Sequence, residues 1–206
     1  MPTLPKSIVW TRTDTGGADQ VLFDDQRGLT ARGVAVAAAP LPYSCHYELA
    51  TDEQWAAVRL TVTVEGAGWL RTVRMERALG RWRVSTAEQG DLDRALRAAG
   101  RSPVGLPGTE EPGRLDAALD VDLDAAPLFN TLPIRRLRLS DQPVGQEHRL
   151  VAAWVRVPSL EVMPMEQTYT VLGADRVRYR SGSFTAEVTL DPDGFVLHYP
   201  GLAQRA

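Results

Sequence analysis

Carboxylates alternate with apolar side chains in one short segment, Asp120–Asp124, which reads Asp-Val-Asp-Leu-Asp. Alternate side chains of an extended chain share a face, so these acidic groups would lie together. Such a group could bind calcium or provide the paired acid and base of a hydrolase. An EF-hand loop starting at Asp120 would need glycine and glutamate where this sequence has Ala125 and Thr131. The simpler prediction is a strand whose acids face solvent while its valine and leucine pack inward.

Histidine and cysteine, the other common metal ligands and catalytic groups, are scattered. The three histidines, His46, His148 and His198, lie far apart and show no metal-ligand spacing. Cys45 and His46 are neighbours in a predicted strand, so they point to opposite faces and are badly placed to exchange a proton. The sequence also lacks the nucleophile-elbow, phosphate-loop and dinucleotide-binding motifs. We therefore predict no metal, no cofactor and no enzymatic activity.

A second polar cluster lies in Asn130–Leu137, which reads Asn-Thr-Leu-Pro-Ile-Arg-Arg-Leu. Asparagine and arginine beside a proline-fixed turn offer directed donors that could bind a phosphate or a sugar. The alternative is that Arg135 or Arg136 pairs with Asp120 or Asp122 and so holds two segments together. The sequence leaves both interpretations open.

The composition is that of an ordinary globular protein. The 206 residues are 44% hydrophobic and 24% charged, with a formal net charge of -3. This charge argues against a nucleic-acid surface, and no stretch approaches the roughly 20 apolar residues of a membrane span. The N-terminal segment Met1–Lys6 has no apolar run behind it, and the one cysteine permits no internal disulfide bond. We therefore expect a cytoplasmic protein without a transmembrane segment.

Period-two alternation dominates the chain and predicts a mostly antiparallel β protein. The clearest example is Val58–Glu65, followed by a hairpin partner at Trp69–Arg77 and a third strand at Arg81–Thr86. Further strands are predicted at Ser7–Thr11, Gln20–Asp24, Gly28–Ala39, Tyr43–Leu49, His148–Val157, Gln167–Leu172, Arg176–Arg180, Phe184–Leu190 and Phe195–Tyr199, with Ala35–Ala39 open to a helical alternative. Asp91–Ala99 has helical spacing, and the glycine- and proline-rich stretch Gly100–Gly113 predicts an exposed loop. We predict one domain over residues 1–206, with an excursion at about 88–116.

Several blocks resemble one protein family over nearly the whole chain. The most specific are Asp-Val-Asp-Leu and Asn-Thr-Leu-Pro-Ile-Arg-Arg-Leu within Leu115–Leu137. Supporting likeness covers Gln167–Tyr169, Asp193–Leu202, Trp10 and Tyr47–Arg59. On these residues the chain resembles the bacterial putative glycolipid-binding family. The resemblance implies a spiral β-roll or half-barrel, in which one curved antiparallel sheet with few short helices curls around an apolar groove.

The resemblance also implies a site and an activity. The implied activity is non-enzymatic binding of a lipid or a glycolipid-like amphipathic ligand, and the implied partner is that small molecule. The residues that match the family's motifs, and that we predict to bind the ligand, are Asp120, Asp122, Asn130, Arg135, Arg136, Gln167, Tyr169 and Tyr199.

Three functions remain in competition. The first is the binding module, with apolar tails inside the sheet and a sugar or phosphate at a polar rim near Arg135 and Arg136. The second is a protein-interaction or structural module that uses a sheet edge or the Gly100–Gly113 loop. The third is a hydrolase that uses carboxylates of Asp120–Asp124, which predicts paired carboxyl groups at a concave pocket with one raised pKa. The five tryptophans suit a wide cavity, a sugar-stacking surface or an ordinary core equally well.

Overall fold

A computed structural model describes residues 4–24, 28–107 and 113–206 of the chain. Within these ranges it contains a sheet of fourteen strands, two α helices and one 3-10 helix at Leu139–Asp141. The strands are β1 (Ser7–Arg12), β2 (Gly17–Asp24), β3 (Thr30–Ala37), β4 (Tyr43–Thr51), β5 (Ala57–Gly66), β6 (Trp69–Ala78), β7 (Arg81–Gly90), β8 (Ala118–Leu123), β9 (Glu147–Val155), β10 (Val162–Gly173), β11 (Arg176–Ser181), β12 (Phe184–Leu190), β13 (Val196–Tyr199) and β14 (Ala203–Arg205). The helices are α1 (Leu92–Ala98) and α2 (Leu128–Arg136).

The strand order places the two ends of the chain at the middle of the sheet. The order is β7-β6-β5-β4-β3-β2-β1-β14-β13-β12-β11-β10-β9-β8, so β1 pairs with β14. Each half is a meander of neighbouring hairpins, and every pair is antiparallel except β8 with β9. The predicted strands are present, and for most of them the alternation reflects one buried face, whereas β9 buries the neighbouring residues Ala152 and Ala153. In β3 the buried residues Ala35 and Ala37 alternate with exposed ones, so the helical alternative there is wrong.

The sheet curls until its two edge strands meet. On β7 the Trp82 indole Nε1 donates a hydrogen bond to the Ala118 carbonyl of β8, at 2.9 Å. Nearby, Nη1 of the buried Arg71 on β6 donates to the carbonyl of Ser159, at 3.1 Å. The edges touch through side chains without pairing as strands, so the sheet is curved but not closed into a barrel. The predicted fold class is confirmed.

Helix α2 fills the centre of this curl. Parallel strands need a long crossover connection, and α2 is that connection between β8 and β9. All of its residues from Leu128 to Ile134 are buried. Phe129 meets the Tyr47 ring of β4 edge-on, with 5.4 Å between ring centroids, while Ile134 packs with the core of the C-terminal half. The proline-fixed turn predicted for Asn130–Leu137 is therefore wrong, since most of that segment is a buried helix.

The segment between the two halves contains the helix that the spacing of Asp91–Ala99 predicts, although β7 extends to Gly90 before it. Helix α1 occupies most of the segment with helical spacing, and its N-cap residue Asp91 accepts a hydrogen bond from the Arg94 backbone N–H at 2.8 Å. Residues 101–107 of the predicted loop have no regular structure, and residues 108–112 lie outside the described ranges. Among the described residues, no helix has the length and apolar character needed to cross a membrane.

Candidate functional site

A pocket of about 410 Å³ opens beside the N-terminal half of α2. It lies between the end of β8, the β11–β12 turn and the segment that follows β13. Its polar lining comes from Asp122, Asp124, Asn130, Ser181 and Ser183, and its aromatic lining from Trp154, Tyr179, Phe184 and Tyr199. This volume is within the range of small-molecule sites, roughly 300–1,000 Å³.

A chain of hydrogen bonds fixes the polar groups at the inner end of the pocket. Gln167 Nε2 donates to Asp122 Oδ2 at 2.6 Å, and Asn130 Nδ2 donates to the Tyr169 hydroxyl at 3.0 Å. That hydroxyl lies 3.5 Å from Gln167 Oε1, which links the two pairs. Gln167 and Tyr169 are buried on the same face of β10. The two side chains therefore hold Asp122 and Asn130 in position from behind.

Two polar groups remain available at this inner end. Within the described part of the chain, neither the side-chain amide oxygen Oδ1 of Asn130 nor the Tyr199 hydroxyl has a hydrogen-bond partner. Both residues are about 5% exposed and line the pocket, so their polar atoms can form hydrogen bonds mainly with a molecule inside it. An amide oxygen accepts hydrogen bonds, whereas a phenol both donates and accepts. A ligand rich in hydroxyl groups could satisfy both.

The pocket has an acidic character. Burial, reinforced by the neighbouring Asp124 carboxylate, raises the pKa of Asp122 from 3.8 to about 7, although the Gln167 hydrogen bond opposes the shift. Burial also raises the pKa of Asp124. None of the described lining residues is arginine, lysine or histidine. The described residues also contain no group of three histidine, cysteine or acidic side chains placed to hold a metal ion.

Aromatic rings form one wall of the pocket. The Tyr179 ring packs against those of Phe184 and Tyr199, with centroids 6.2 and 6.1 Å apart, and the latter two are also 6.2 Å apart. Tyr179 and Tyr199 are buried, whereas Phe184 is 48% exposed at the pocket rim. The wall therefore combines two buried phenol rings with one exposed apolar ring, which lies at the rim beside Ser181 and Ser183.

The structure brings together part of the predicted site. Asp122, Asn130 and Tyr199 line the pocket, and Gln167 and Tyr169 support them from behind.

The remaining predicted residues have other partners. Arg136 forms a two-pronged ion pair with Asp120, at 3.0 and 2.5 Å, as in the pairing alternative. Arg135 stacks on the Trp55 ring, with its guanidinium carbon 4.2 Å from the ring centroid. None of these three charged side chains lines the pocket. The prediction that the acids of β8 face solvent is wrong for Asp120, which is only 1% exposed because α2 supplies its partner.

Several lining residues were not among the predicted ligand-binding residues. Alternation in β11 places Tyr179 on the buried face, but it cannot show that this face borders a cavity. The sequence of the turn that carries Ser181 and Ser183 indicates only a connection between two strands of a hairpin. Trp154 neighbours Asp122 through the parallel pairing of β8 with β9, which no local pattern indicates.

The comparisons with known proteins agree with the fold. A family model described as "Putative glycolipid-binding" matches residues 7–205. Among solved structures, the chain is similar to the crystal structure of a DUF1089 family protein from Pseudomonas aeruginosa, at a TM-score of 0.69 and 27% identity, with 92% of each chain covered. A search of the curated proteins finds no match. The chain therefore belongs to the putative glycolipid-binding family.

Proposed function

We propose that the protein binds an amphipathic, glycolipid-like molecule in this pocket without transforming it. The observation that carries the proposal is the mixed lining of the pocket, in which the polar groups of Asp122, Asn130 and Tyr199 lie beside an aromatic wall that ends in the exposed Phe184 ring. Ligand sites combine apolar surface with a few placed polar groups that set orientation. The family description supports the same class of ligand.

The lining favours entry of the head group first. Asn130 and Tyr199 offer free polar atoms at the buried end, while the exposed Phe184 ring lies at the mouth. A sugar would exchange its water contacts for hydrogen bonds inside the pocket, and the attached chain would leave past the exposed Phe184 ring. This orientation is the reverse of the one expected from the sequence, with tails inside and a head group near Arg135 and Arg136.

The packed centre of the sheet gives a second reason for this orientation. The interior that a curled sheet could offer to an acyl chain is occupied by the side chains of α2, including Phe129 and Leu132. A tail could enter there only if this helix moved. The pocket therefore suits a head group and the first few methylene groups of a tail.

The proposal can be tested by calorimetric titration with alkyl glucosides below their micellar concentrations. We expect octyl glucoside to bind, and Tyr199→Leu to weaken its affinity severalfold. Leu79→Ala, in the exposed β6–β7 turn away from the pocket, serves as the matched control and should bind like the parent.

A series of tail lengths tests the orientation. Each buried methylene contributes about 0.8 kcal/mol, so affinity should rise over the first few methylenes and then level off. If affinity instead rose steadily up to the longest tails, the tail would have to be buried inside the protein. Absence of binding for every glucoside, together with no lipid retained in native mass spectrometry, would refute the proposed function.

A second candidate, glycoside hydrolysis, is favoured by one observation. Asp122 and Asp124 both lie at the pocket, and the pKa of Asp122 is raised to about 7, as expected for a general acid. Nitrophenyl glycosides provide the assay. Turnover that Asp122→Asn abolishes would support hydrolysis, and equally negligible release from parent and variant would exclude it for the glycosides tried.

A further inference from the structure

The charges around the pocket restrict the kind of head group it can accept. We propose that the pocket takes a hydroxyl-rich head group that is neutral or positively charged, and that it rejects phosphate, sulfate and carboxylate groups. This inference rests on the proposed function, and it adds the chemical class of the ligand.

The first support is the sign of the charges that face the ligand. Asp122 and Asp124 border the cavity, and the other polar lining residues are uncharged. An anion would have to approach these carboxylates in a partly desolvated space, where electrostatic interactions are stronger than in water. A neutral sugar avoids this repulsion, and an amino sugar gains attraction.

The second support is that the two arginines that act on Asp124 are already paired. Arg12 acts on Asp124 electrostatically, but it is bound by the Asp14 carboxylate through contacts of 2.9 and 2.5 Å. Arg156 also acts on Asp124, and it pairs with Glu161 at 3.3 Å. To bind an incoming phosphate, either guanidinium would have to leave a carboxylate partner. Anion sites in proteins instead present free arginines or backbone N–H groups.

A third observation is that Arg136, a further cation near this region, is paired with a carboxylate as well. Its two contacts with Asp120 use the planar edge that would otherwise hold a phosphate. The ion pair also keeps this guanidinium away from the pocket, which Arg136 does not line.

The hydrogen-bond inventory leads to the same class of ligand. Asp122 and Asp124 can accept hydrogen bonds when ionised, and Asn130 has a free carbonyl oxygen at the inner end. Asp122 already accepts from Gln167 and Asp124 from the Val157 backbone, and the acceptor positions that remain can take donors from the ligand. Sugar hydroxyl and ammonium groups donate, whereas a fully ionised phosphate only accepts. The hydroxyl groups of Tyr199 and Ser183 can turn either way and so do not change the preference.

The test compares head groups on one tail. The probes are octyl glucoside, its 2-amino-2-deoxy analogue, its 6-phosphate and octanol, titrated into the parent protein at pH 8 and followed by calorimetry. We expect the two uncharged or cationic sugars to bind, the phosphate to bind at least about tenfold more weakly, and octanol to bind more weakly than the glucoside.

Substitutions then identify the cause of the discrimination. Asp124→Asn and Asp122→Asn should each reduce the difference in affinity between octyl glucoside and its 6-phosphate. The exposed Asp116→Asn should leave that difference unchanged. Circular dichroism establishes that each variant is folded, and the comparison in the parent protein stands without any variant.

The outcomes separate the two proposals. Phosphate binding as tight as or tighter than glucoside binding would overturn the head-group inference and leave the proposed function intact. Octanol binding as tightly as the glucoside would also overturn it, because the pocket would then take the tail. Failure of every probe to bind would refute the proposed function, and the inference with it.

Discussion

Replacing Asp122 by asparagine should stabilise the folded protein at high pH and leave its stability nearly unchanged at low pH. Folding raises the pKa of Asp122 from 3.8 to about 7, mainly by burial. Between these values the unfolded chain releases a proton that the folded protein keeps, so folding becomes less favourable as the pH rises. At about 1.36 kcal/mol per pKa unit, the full difference corresponds to about 4 kcal/mol. Water in the open pocket screens the charge, so we expect about 2 kcal/mol.

Urea unfolding at pH 3, 5, 7 and 8, followed by tryptophan fluorescence, measures this effect. The stability gain of Asp122→Asn over the parent should grow from about zero to about 2 kcal/mol and level off above pH 7. Asp19 has a similarly raised pKa, about 7, but it is present in both proteins and cancels in the difference. Exposed Asp116→Asn is the control for the loss of one acidic group. A gain that is independent of pH, or that shrinks as the pH rises, would refute the reasoning.

Three further predictions concern other contacts. Arg136→Met leaves the carboxylate of Asp120, whose side chain is only 1% exposed, without its cation and should lower the free energy of unfolding by about 3 kcal/mol at pH 7 in urea titrations, since breaking one half of a buried pair costs about 3–5 kcal/mol. Gly33→Ala would place a Cβ atom 1.9 Å from Cζ of Tyr47, so it should destabilise by about 1–3 kcal/mol, measurable as a lower thermal midpoint. Phe184→Ala should weaken octyl glucoside binding severalfold in calorimetry, while its exposed position keeps the change in stability below about 1 kcal/mol.

Most of the fold was predictable from the sequence because most strands bury one face and expose the other. The period-two pattern of β5 and the hairpins around it is a local signal. The burial of α2 has no such local signal. It follows from the parallel pairing of β8 with β9, two strands that are far apart in the sequence because the whole helix lies between them. The proline in Asn130–Leu137 pointed to a turn, yet tertiary packing places Pro133 inside the helix.

The candidate site was predictable only in part, for the same reason. Asp122, Asn130 and Tyr199 belong to motifs that resemble the family, and they meet at the pocket. The sequence could not separate Asp120 from Asp122, because both occupy equivalent positions in one alternating run. Their roles differ through their tertiary neighbours, an arginine of α2 for one and a glutamine of β10 for the other.

The β8–α2–β9 crossover fills the interior of the curled sheet and also positions residues that line the pocket. A curled sheet without a central helix could enclose an acyl chain, but α2 fills that space with its own apolar side chains. The same connection places Asn130 and the Asp122–Asp124 segment at the edge of the filled core, where a pocket can form. A carboxylate kept there at a cost in stability is typical of a functional site. The filled core and the buried carboxylate therefore support the proposal that the polar end of a ligand is bound, and they argue against the alternative in which its apolar end is enclosed.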